Sequence, residues 1–153
     1  MGIPSHFLRT KLTVKIFISK YLLKECINSQ DDYNLIIDSN NISEKTMRVS
    51  IKQESIIDIG SHISVLKGDA NFIGIAKYSK TGVKILKQYV YGLCQTEKYI
   101  NDYYTIVLRE IAKSGLKINY TLNNNSYFWD EIDYLDDYNN VKNVFEKIKE
   151  LII

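Results

Sequence analysis

Five carboxylates fall within the nine residues 129–137, close to the end of the chain. A strand-like run, residues 126–132, leads into this acidic segment, and a segment with helical periodicity follows it. In open α/β sheets, ligands bind where a strand ends and the chain turns into a helix. Carboxylate oxygens at such a point hold hard cations. Asp133 stands at the predicted strand end, and this position predicts a metal ligand.

The same acids have a second interpretation, as acidic side chains at the N-terminus of a helix. Negative side chains in a first turn interact favourably with the helix dipole. Asp136 or Asp137 is expected to be a plain N-cap of the final helix under either interpretation. Spacing alone therefore leaves both roles open for the acidic segment.

Composition limits the class of protein. The chain has 153 residues, 45% of them hydrophobic, which suits one globular domain over residues 1–153. A formal net charge of +2 is too mild to indicate a nucleic-acid partner. Cys26 and Cys94 form no CxxC pair, His6 and His62 are isolated, and no apolar run is long enough to span a membrane. We expect a cytoplasmic protein without a membrane partner.

Hydrophobic periodicity predicts alternating strands and helices. A strand at 12–18, a helix capped by Ser19 and a buried strand at 33–37 suggest a right-handed βαβ unit. A hairpin, a buried strand and two helices follow, then a strand at 116–120, the strand at 126–133 and a final helix. In the buried strand at 71–78, Gly74 indicates close approach by a backbone or a ligand. The fold class is α/β, with a mixed, mostly parallel Rossmann-like sheet and helices on both faces.

The order of motifs resembles the sugar-phosphate nucleotidyltransferases, above all the phosphocholine cytidylyltransferase-like enzymes and the nucleotidyltransferase domains joined to phosphoenolpyruvate mutase. The chain resembles the C-terminal portion of such an enzyme, from its central strand to a closing Trp-x-Glu-Ile-Asp motif. The matching segments are residues 32–40, 47–49 with 57–60, 72–79, 102–104, and 129–133 with Asp137. The resemblance covers residues 16–153 and leaves 1–15 unassigned.

Two features of the family have no counterpart in the sequence. The family's glycine-rich loop, which cradles the nucleoside triphosphate, is missing, and the one proline, Pro4, precedes no lysine. The family's first metal carboxylate is expected just before the helix that begins at Ser19, where this chain has Lys15. An ammonium there would repel Mg²⁺.

The resemblance implies roles for several side chains. Asp133 would be the catalytic and Mg²⁺-binding carboxylate of an intact enzyme. Glu131 would support it or be an exposed acid, and Trp129 would line the substrate or cap the sheet edge. Gly74 and Lys77 would lie beside the acceptor phosphate, although a solvated Lys77 is the alternative.

The helix start at 102–104 carries a further implied role. Asp102, Tyr103 and Tyr104 would form part of a pocket for a quaternary amine, because aromatic faces attract such cations. Alternatively, Tyr104 is core and Tyr103 is surface. Asn71 stands where the subgroup often has an acid.

The implied activity is transfer of a nucleotidyl group from a nucleoside triphosphate, CTP above all, to phosphocholine or a sugar phosphate, with release of pyrophosphate. The alternative is a non-catalytic acceptor-binding module or a truncated remnant. We also expect a homodimer, because loss of a front half would leave the strand at 33–37 with an unpaired apolar edge.

Overall fold

The structure is a computed structural model, and it describes residues 15–40, 42–96, 99, 102–124, 127–132 and 135–152. It contains seven strands and four helices within those residues. In chain order they are β1 (Lys15–Ile18), α1 (Lys20–Asn28), β2 (Tyr33–Asp38), β3 (Met47–Lys52), β4 (Ser55–Gly60), β5 (Ala70–Tyr78), α2 (Lys80–Cys94), α3 (Thr105–Lys113), β6 (Asn119–Asn123), β7 (Trp129–Ile132) and α4 (Leu135–Ile152).

Five strands form one mixed sheet in the order β4-β3-β5-β2-β6. The expected mixed sheet is therefore present, but its mostly parallel character is matched only in part. β2 and β6 run parallel, whereas β2–β5, β3–β5 and β3–β4 are antiparallel. Pairing partners lie far apart in the chain, and local periodicity does not report strand direction.

Both faces of β2 are covered, which explains its continuous apolar run. Leu35 and Ile37 belong to a core shared with Leu108 and Ile111 of α3. Ile36, which points to the opposite face, packs with residues of α1. Helices therefore cover both faces of the sheet, as the sequence predicts. Because β2 lies between β5 and β6, the expected unpaired edge at 33–37 is wrong, and it gives no reason for dimerisation.

The first strand does not form the predicted βαβ unit. β1 pairs antiparallel with β7 in a separate two-stranded ribbon, with Lys15 opposite Ile132 and Ile16 opposite Glu131. α4 packs against this ribbon, where the rings of Phe17 and Phe145 meet edge to face at 6.0 Å. The ribbon therefore joins the beginning of the described chain to its last two elements.

Several local predictions are confirmed, and others shift. Ser19 and Ser79 accept backbone N–H groups as N-caps of α1 and α2. The strand predicted at 116–120 forms at 119–123, and α3 begins at Thr105 rather than Asp102. Asp136 and Asp137 lie in the first turn of α4 and are not its N-cap.

Gly74 is required by its backbone conformation rather than by crowding. Its φ is +82°, and the pairing of β2 with β5 changes register between Leu35 and Ile37, beside Gly74. A glycine accommodates such a bulge because it has no Cβ. A Cβ at this position would find only ordinary contacts, the nearest at 3.5 Å from Ile16 Cδ1.

In the described part of the chain, none of the helices has both the length and the apolar character that crossing a membrane requires.

Candidate functional site

Four buried polar side chains lie side by side across one edge of the sheet, on four neighbouring strands. In spatial order they are Asn123 on β6, Asp38 on β2, Asn71 on β5 and Arg48 on β3, as the strand registers show. Their exposed fractions lie between 2% and 6%. We call these four residues the polar row. It lies at the carboxyl ends of the parallel strands β2 and β6, where ligands bind in α/β sheets.

Asp38 is the acid of the polar row, and the donors of its three hydrogen bonds are all neutral. Oδ1 accepts hydrogen bonds from the Asn40 backbone N–H at 2.8 Å and from Asn40 Nδ2 at 2.7 Å. Oδ2 accepts the indole N–H of Trp129. Among the described side chains, no lysine or arginine forms an ion pair with Asp38. A buried carboxylate without a counter-charge is costly, so this position favours a bound cation.

Asn71 fixes the loop that follows Asp38. Its Nδ2 donates to the Asn40 carbonyl at 3.1 Å. Its Oδ1 accepts from the Ser43 backbone N–H at 3.0 Å and from the Thr46 hydroxyl at 2.6 Å. The side chain must therefore donate and accept at once, which an ionised carboxylate cannot do. This explains an amide where the resembling enzymes often have an acid.

Arg48 is a buried cation that binds backbone carbonyls. Its Nη1 donates to Ser43 O at 2.7 Å and to Thr46 O at 3.0 Å. Its Nε and Nη2 donate to the carbonyls of Ile63 and Ser61. Alternation along β3 predicts a solvent-facing Arg48, but the side chain is only 4% exposed. It ties the loop after β2 to the loop after β4.

Asn123 closes the turn between β6 and β7. Its Nδ2 donates to Tyr127 O at 2.8 Å, and its Oδ1 accepts from Tyr127 N at 3.1 Å. This pair of bonds directs the chain towards Trp129, whose indole then reaches Asp38. The start of the acidic motif is thereby fixed to the end of the inner strand.

Glu131 and Gly74 come together beside Tyr104. A Cβ on Gly74 would lie 3.9 Å from Glu131 Oε1. Desolvation, followed by the Glu131 carboxylate, raises the pKa of Tyr104 to about 12, although half of the residue, 51%, is exposed. Its ring meets Phe72 edge to face at 6.4 Å. Tyr104 therefore remains a neutral hydrogen-bond donor near a carboxylate. Because it packs against Phe72 but is half exposed, it matches neither of the two predicted settings, an amine pocket or the core, completely.

The acidic motif itself contains a coupled pair. Burial raises the pKa of the Asp130 carboxyl, the Glu131 N–H at 2.9 Å lowers it, and the Asp137 carboxylate raises it again. Asp137 in the first turn of α4 thus acts on Asp130 in β7. Asp133 lies outside the described residues, one position after the end of β7.

Three predicted site residues lie away from the polar row. Lys77 pairs with Asn34, four residues before Asp38, and its Nζ donates to Ser29 O at 2.7 Å and Asp31 O at 2.8 Å. Asp102 and Tyr103 line a different cavity at the start of α3. The structure therefore assembles Trp129, Glu131 and Gly74, and leaves the other three elsewhere.

The residues that the sequence did not reveal are Asp38, Asn71 and Arg48. Asp38 had a signal, because it ends a fully apolar strand and begins a polar loop. Asn71 was noted only because it stands where the resembling enzymes often have an acid, and Arg48 gave no signal. The roles of both depend on loops that fold back over the sheet edge. Among the described residues, no group of three or more His, Cys, Asp or Glu side chains is arranged to hold a metal ion.

Solved structures with a similar fold belong to nucleotidyltransferases. One is the inositol-1-phosphate CTP transferase from T. maritima, with a TM-score of 0.63 and 22% identity over 88% of this chain and 53% of that chain. Another, from Bacillus anthracis, is described as a glucose-1-phosphate thymidylyltransferase in complex with a sucrose, with a TM-score of 0.61 and 16% identity over 84% of this chain and 50% of that one.

The fold is nucleotidyltransferase-like. The chain spans about half the length of the solved structures that it matches. No protein-family model matches the sequence, and no curated protein is similar to it. At these identities the likeness establishes the fold, while substrate and activity must be argued from the site.

Proposed function

We propose that the sheet edge around Asp38 is the metal- and acceptor-binding side of a nucleotidyl-transfer site. The observation that carries this proposal is the buried Asp38 carboxylate, which accepts hydrogen bonds from neutral donors, the indole of Trp129 among them. Asp38, rather than a residue near Lys15, would then supply the carboxylate that the sequence had not identified. In that role Asp38 would be the first metal ligand of the site.

The residues present fit a magnesium ion. Each oxygen of a carboxylate has two lone pairs, so Asp38 retains acceptor capacity beyond its three hydrogen bonds. Asp133 follows β7 directly and would be the second carboxylate. When bound, Mg²⁺ would neutralise phosphate charge during the transfer. The neutral donors Asn40 and Trp129 would hold the Asp38 carboxylate in place without neutralising the negative charge that attracts Mg²⁺.

The proposed reaction joins a phosphorylated acceptor to a nucleotide. An acceptor phosphate oxygen bonds to the α-phosphorus of the triphosphate, the bond from that phosphorus to the bridging oxygen breaks, and pyrophosphate leaves. Such reactions depend on alignment and on charge stabilisation. We favour CTP as the donor and phosphocholine or a sugar phosphate as the acceptor. Glu131, which lies beside Gly74, and the neighbouring Tyr104 would contact the acceptor.

A non-catalytic acceptor-binding module is the second candidate. The sequence contains no glycine-rich loop of the kind whose backbone N–H groups bind a triphosphate. For this reason we expect the 153-residue chain to bind an acceptor but to show no measurable nucleotidyl transfer on its own.

Calorimetry and a pyrophosphate-release assay test the proposal together. Phosphocholine and sugar 1-phosphates are titrated with and without Mg²⁺ into the wild type, Asp38→Asn and Glu25→Gln, an exposed acid of α1 as a control. We expect Mg²⁺-dependent binding of at least one acceptor, lost in Asp38→Asn and retained in Glu25→Gln.

The two candidates then separate on the nucleotide. Acceptor binding without CTP or UTP binding favours the module, whereas turnover that disappears in Asp133→Ala shows a complete catalytic site. An acceptor affinity that is equal with and without Mg²⁺ and unchanged in Asp38→Asn contradicts the proposal.

A further inference from the structure

A polar cavity of about 60 Å³ opens at the start of α3, next to the Arg48 end of the polar row. Neither Asp38 nor Trp129 lines it. Its polar lining comes from the segment after β4, from the two residues 102–103 before α3 and from the first two turns of α3, and comprises Ser61, His62, Asp102, Tyr103, Thr105 and Arg109.

Two groups in this cavity lack hydrogen-bond partners. Thr105 is only 4% exposed, and its hydroxyl makes no hydrogen bond to any described residue. The Nε of Arg109 is also buried without a hydrogen bond. Its nearest carboxylate oxygen, on Glu110, is 3.6 Å away and already accepts Lys113 Nζ at 2.9 Å. Among the described side chains, the Arg109 Nε is the buried atom without a partner, which is uncommon. The Thr105 oxygen is not fully buried, and it remains open to a ligand in the cavity.

The start of α3 adds a favourable field at the same place. Tyr104 precedes α3 without a side-chain cap, and the first turn contains no acid. The Ile106 and Val107 N–H groups already donate to the carbonyls of Tyr103 and Tyr104, both at 3.0 Å, so the helix contributes the positive end of its dipole rather than these donors. A threonine hydroxyl and a guanidinium then supply the hydrogen bonds that a phosphate group needs.

Negative charge around the cavity is limited. Asp102 is the one carboxylate among the described lining residues, and it is exposed. Asp58, behind the cavity, is bonded to the Nε2 of His62 at 2.8 Å. Asp102 therefore opposes an anion from the rim, while Arg109, His62 and the helix end favour one from within.

We propose that this cavity binds a phosphate group, either free or as the phosphomonoester of a small molecule. One water needs roughly 10–15 Å³ of such space, so about 60 Å³ accommodates a tetrahedral ion of five heavy atoms but not a sugar ring. Any substituent on the phosphate would have to extend past Tyr103 towards solvent.

Phosphate titration at constant ionic strength, followed by two-dimensional NMR with chloride as the balancing anion, tests this proposal on the full chain. Arg109→Gln should weaken phosphate binding about tenfold or more, because it removes a charged hydrogen bond. Asp102→Asn should strengthen binding several-fold. Lys117→Gln, an equal charge change at an exposed lysine just beyond α3, should leave it unchanged.

Thr105→Val provides a second, isosteric test that does not depend on the behaviour of an arginine variant. With phosphate, the variant should lose the ligand-dependent rise in melting temperature that the wild type shows.

Competition between inorganic phosphate and phosphomonoesters identifies which form of phosphate the cavity binds. Displacement of inorganic phosphate by phosphocholine or a sugar 1-phosphate assigns the cavity to a phosphomonoester, and failure to displace it assigns the cavity to the free ion. The proposal is overturned if Arg109→Gln and Thr105→Val bind phosphate as the wild type does. It is equally overturned if Lys117→Gln weakens binding as much as Arg109→Gln, or if Asp102→Asn abolishes it.

Discussion

The two ends of β2 use buried polar groups in opposite ways. At the amino end, the Lys77 ammonium donates to the carbonyls of Ser29 and Asp31, and the Tyr33 hydroxyl donates to Gly82 O at 3.2 Å. Ser79 caps α2 and also donates to an Asp32 oxygen. Apart from the Ser79 cap itself, these contacts join the start of β2 and the segment before it to the end of β5 and the start of α2.

At the carboxyl end, the polar row leaves a charge without an opposite charge beside it. Asp38 accepts three hydrogen bonds, all from neutral donors. Arg48 donates its hydrogen bonds to backbone carbonyls and not to a carboxylate. The amino end of β2 is therefore a rigid junction, whereas the carboxyl end combines rigid loops with a negative charge that suits a cation.

Gly82→Ala should produce the largest effect, because it breaks the packing at the amino end. A Cβ at Gly82 would lie 2.4 Å from the Asp32 carbonyl oxygen. We expect a loss of about 3 kcal/mol in the free energy of unfolding, since overpacking against backbone cannot relax cheaply. Urea denaturation measures it.

Gly92→Ala, in the same helix, is the matched control. Nothing lies within 4 Å of a Cβ there, so alanine should stabilise the protein by about 0.5 kcal/mol through helix propensity. Equal effects of the two substitutions would show that the close approach at Gly82 does not hold the amino end together.

Asn71→Asp tests the carboxyl end. The new carboxylate would face the Asn40 carbonyl and would stand opposite Asp38 in the strand register. We expect a loss of about 2 kcal/mol at neutral pH, from one broken hydrogen bond and one added buried charge. The loss should shrink in acid, where a protonated carboxyl can donate.

Asn119→Asp controls for the charge change, because Asn119 is a half-buried amide of β6 outside the polar row. A loss in Asn119→Asp as large as that in Asn71→Asp would contradict a special role for the polar row.

Glu131→Gln should lower the pKa of Tyr104 from its value of about 12, because the neutral amide no longer disfavours the phenolate. Part of the elevation should remain, since desolvation is its larger cause. NMR of the labelled tyrosine ring carbons follows the titration. Asp130→Asn is the comparison. A lower Tyr104 pKa in Asp130→Asn, with no change in Glu131→Gln, would show that Asp130 rather than Glu131 raises the pKa of Tyr104.

Asp130→Asn should have the smallest effect on stability. The raised pKa of Asp130 means that the folded state holds its proton more tightly, so stability is lost as pH rises through that raised pKa. The asparagine variant should therefore gain stability at neutral pH, by less than about 1 kcal/mol given partial exposure. The gain should vanish below the ordinary aspartate pKa. Thermal denaturation across pH measures it, and a gain that persists in strong acid would contradict this cause.

Local chemistry made part of this molecule predictable. Ser19 and Ser79 are N-caps that the sequence indicates directly, and the β3–β4 hairpin follows from alternation. The direction of strand pairing was less accessible, because β2 pairs with strands that come much later in the chain. Arg48 was misjudged because a loop covers the face of β3 that alternation assigns to solvent.

The site was only half predictable for the same reason. Trp129 and Glu131 carry a sequence motif, whereas Asp38 became a candidate only when its hydrogen bonds placed the Trp129 indole against it. The resemblance implied that Lys77 lies beside the acceptor phosphate, with a solvated lysine as the alternative. In the structure its ammonium donates to two carbonyls at the other end of β2.

Divalent-cation binding at Asp38 is the central claim, and a Mn²⁺ titration followed by electron paramagnetic resonance tests it most directly. We predict that the wild type binds Mn²⁺, that Mg²⁺ competes for the same site, and that Asp38→Asn and Asp133→Asn each weaken binding at least tenfold. Glu25→Gln and Lys77→Met should bind as the wild type does, the latter despite lower stability. Equal Mn²⁺ affinity in the wild type and Asp38→Asn would contradict the account.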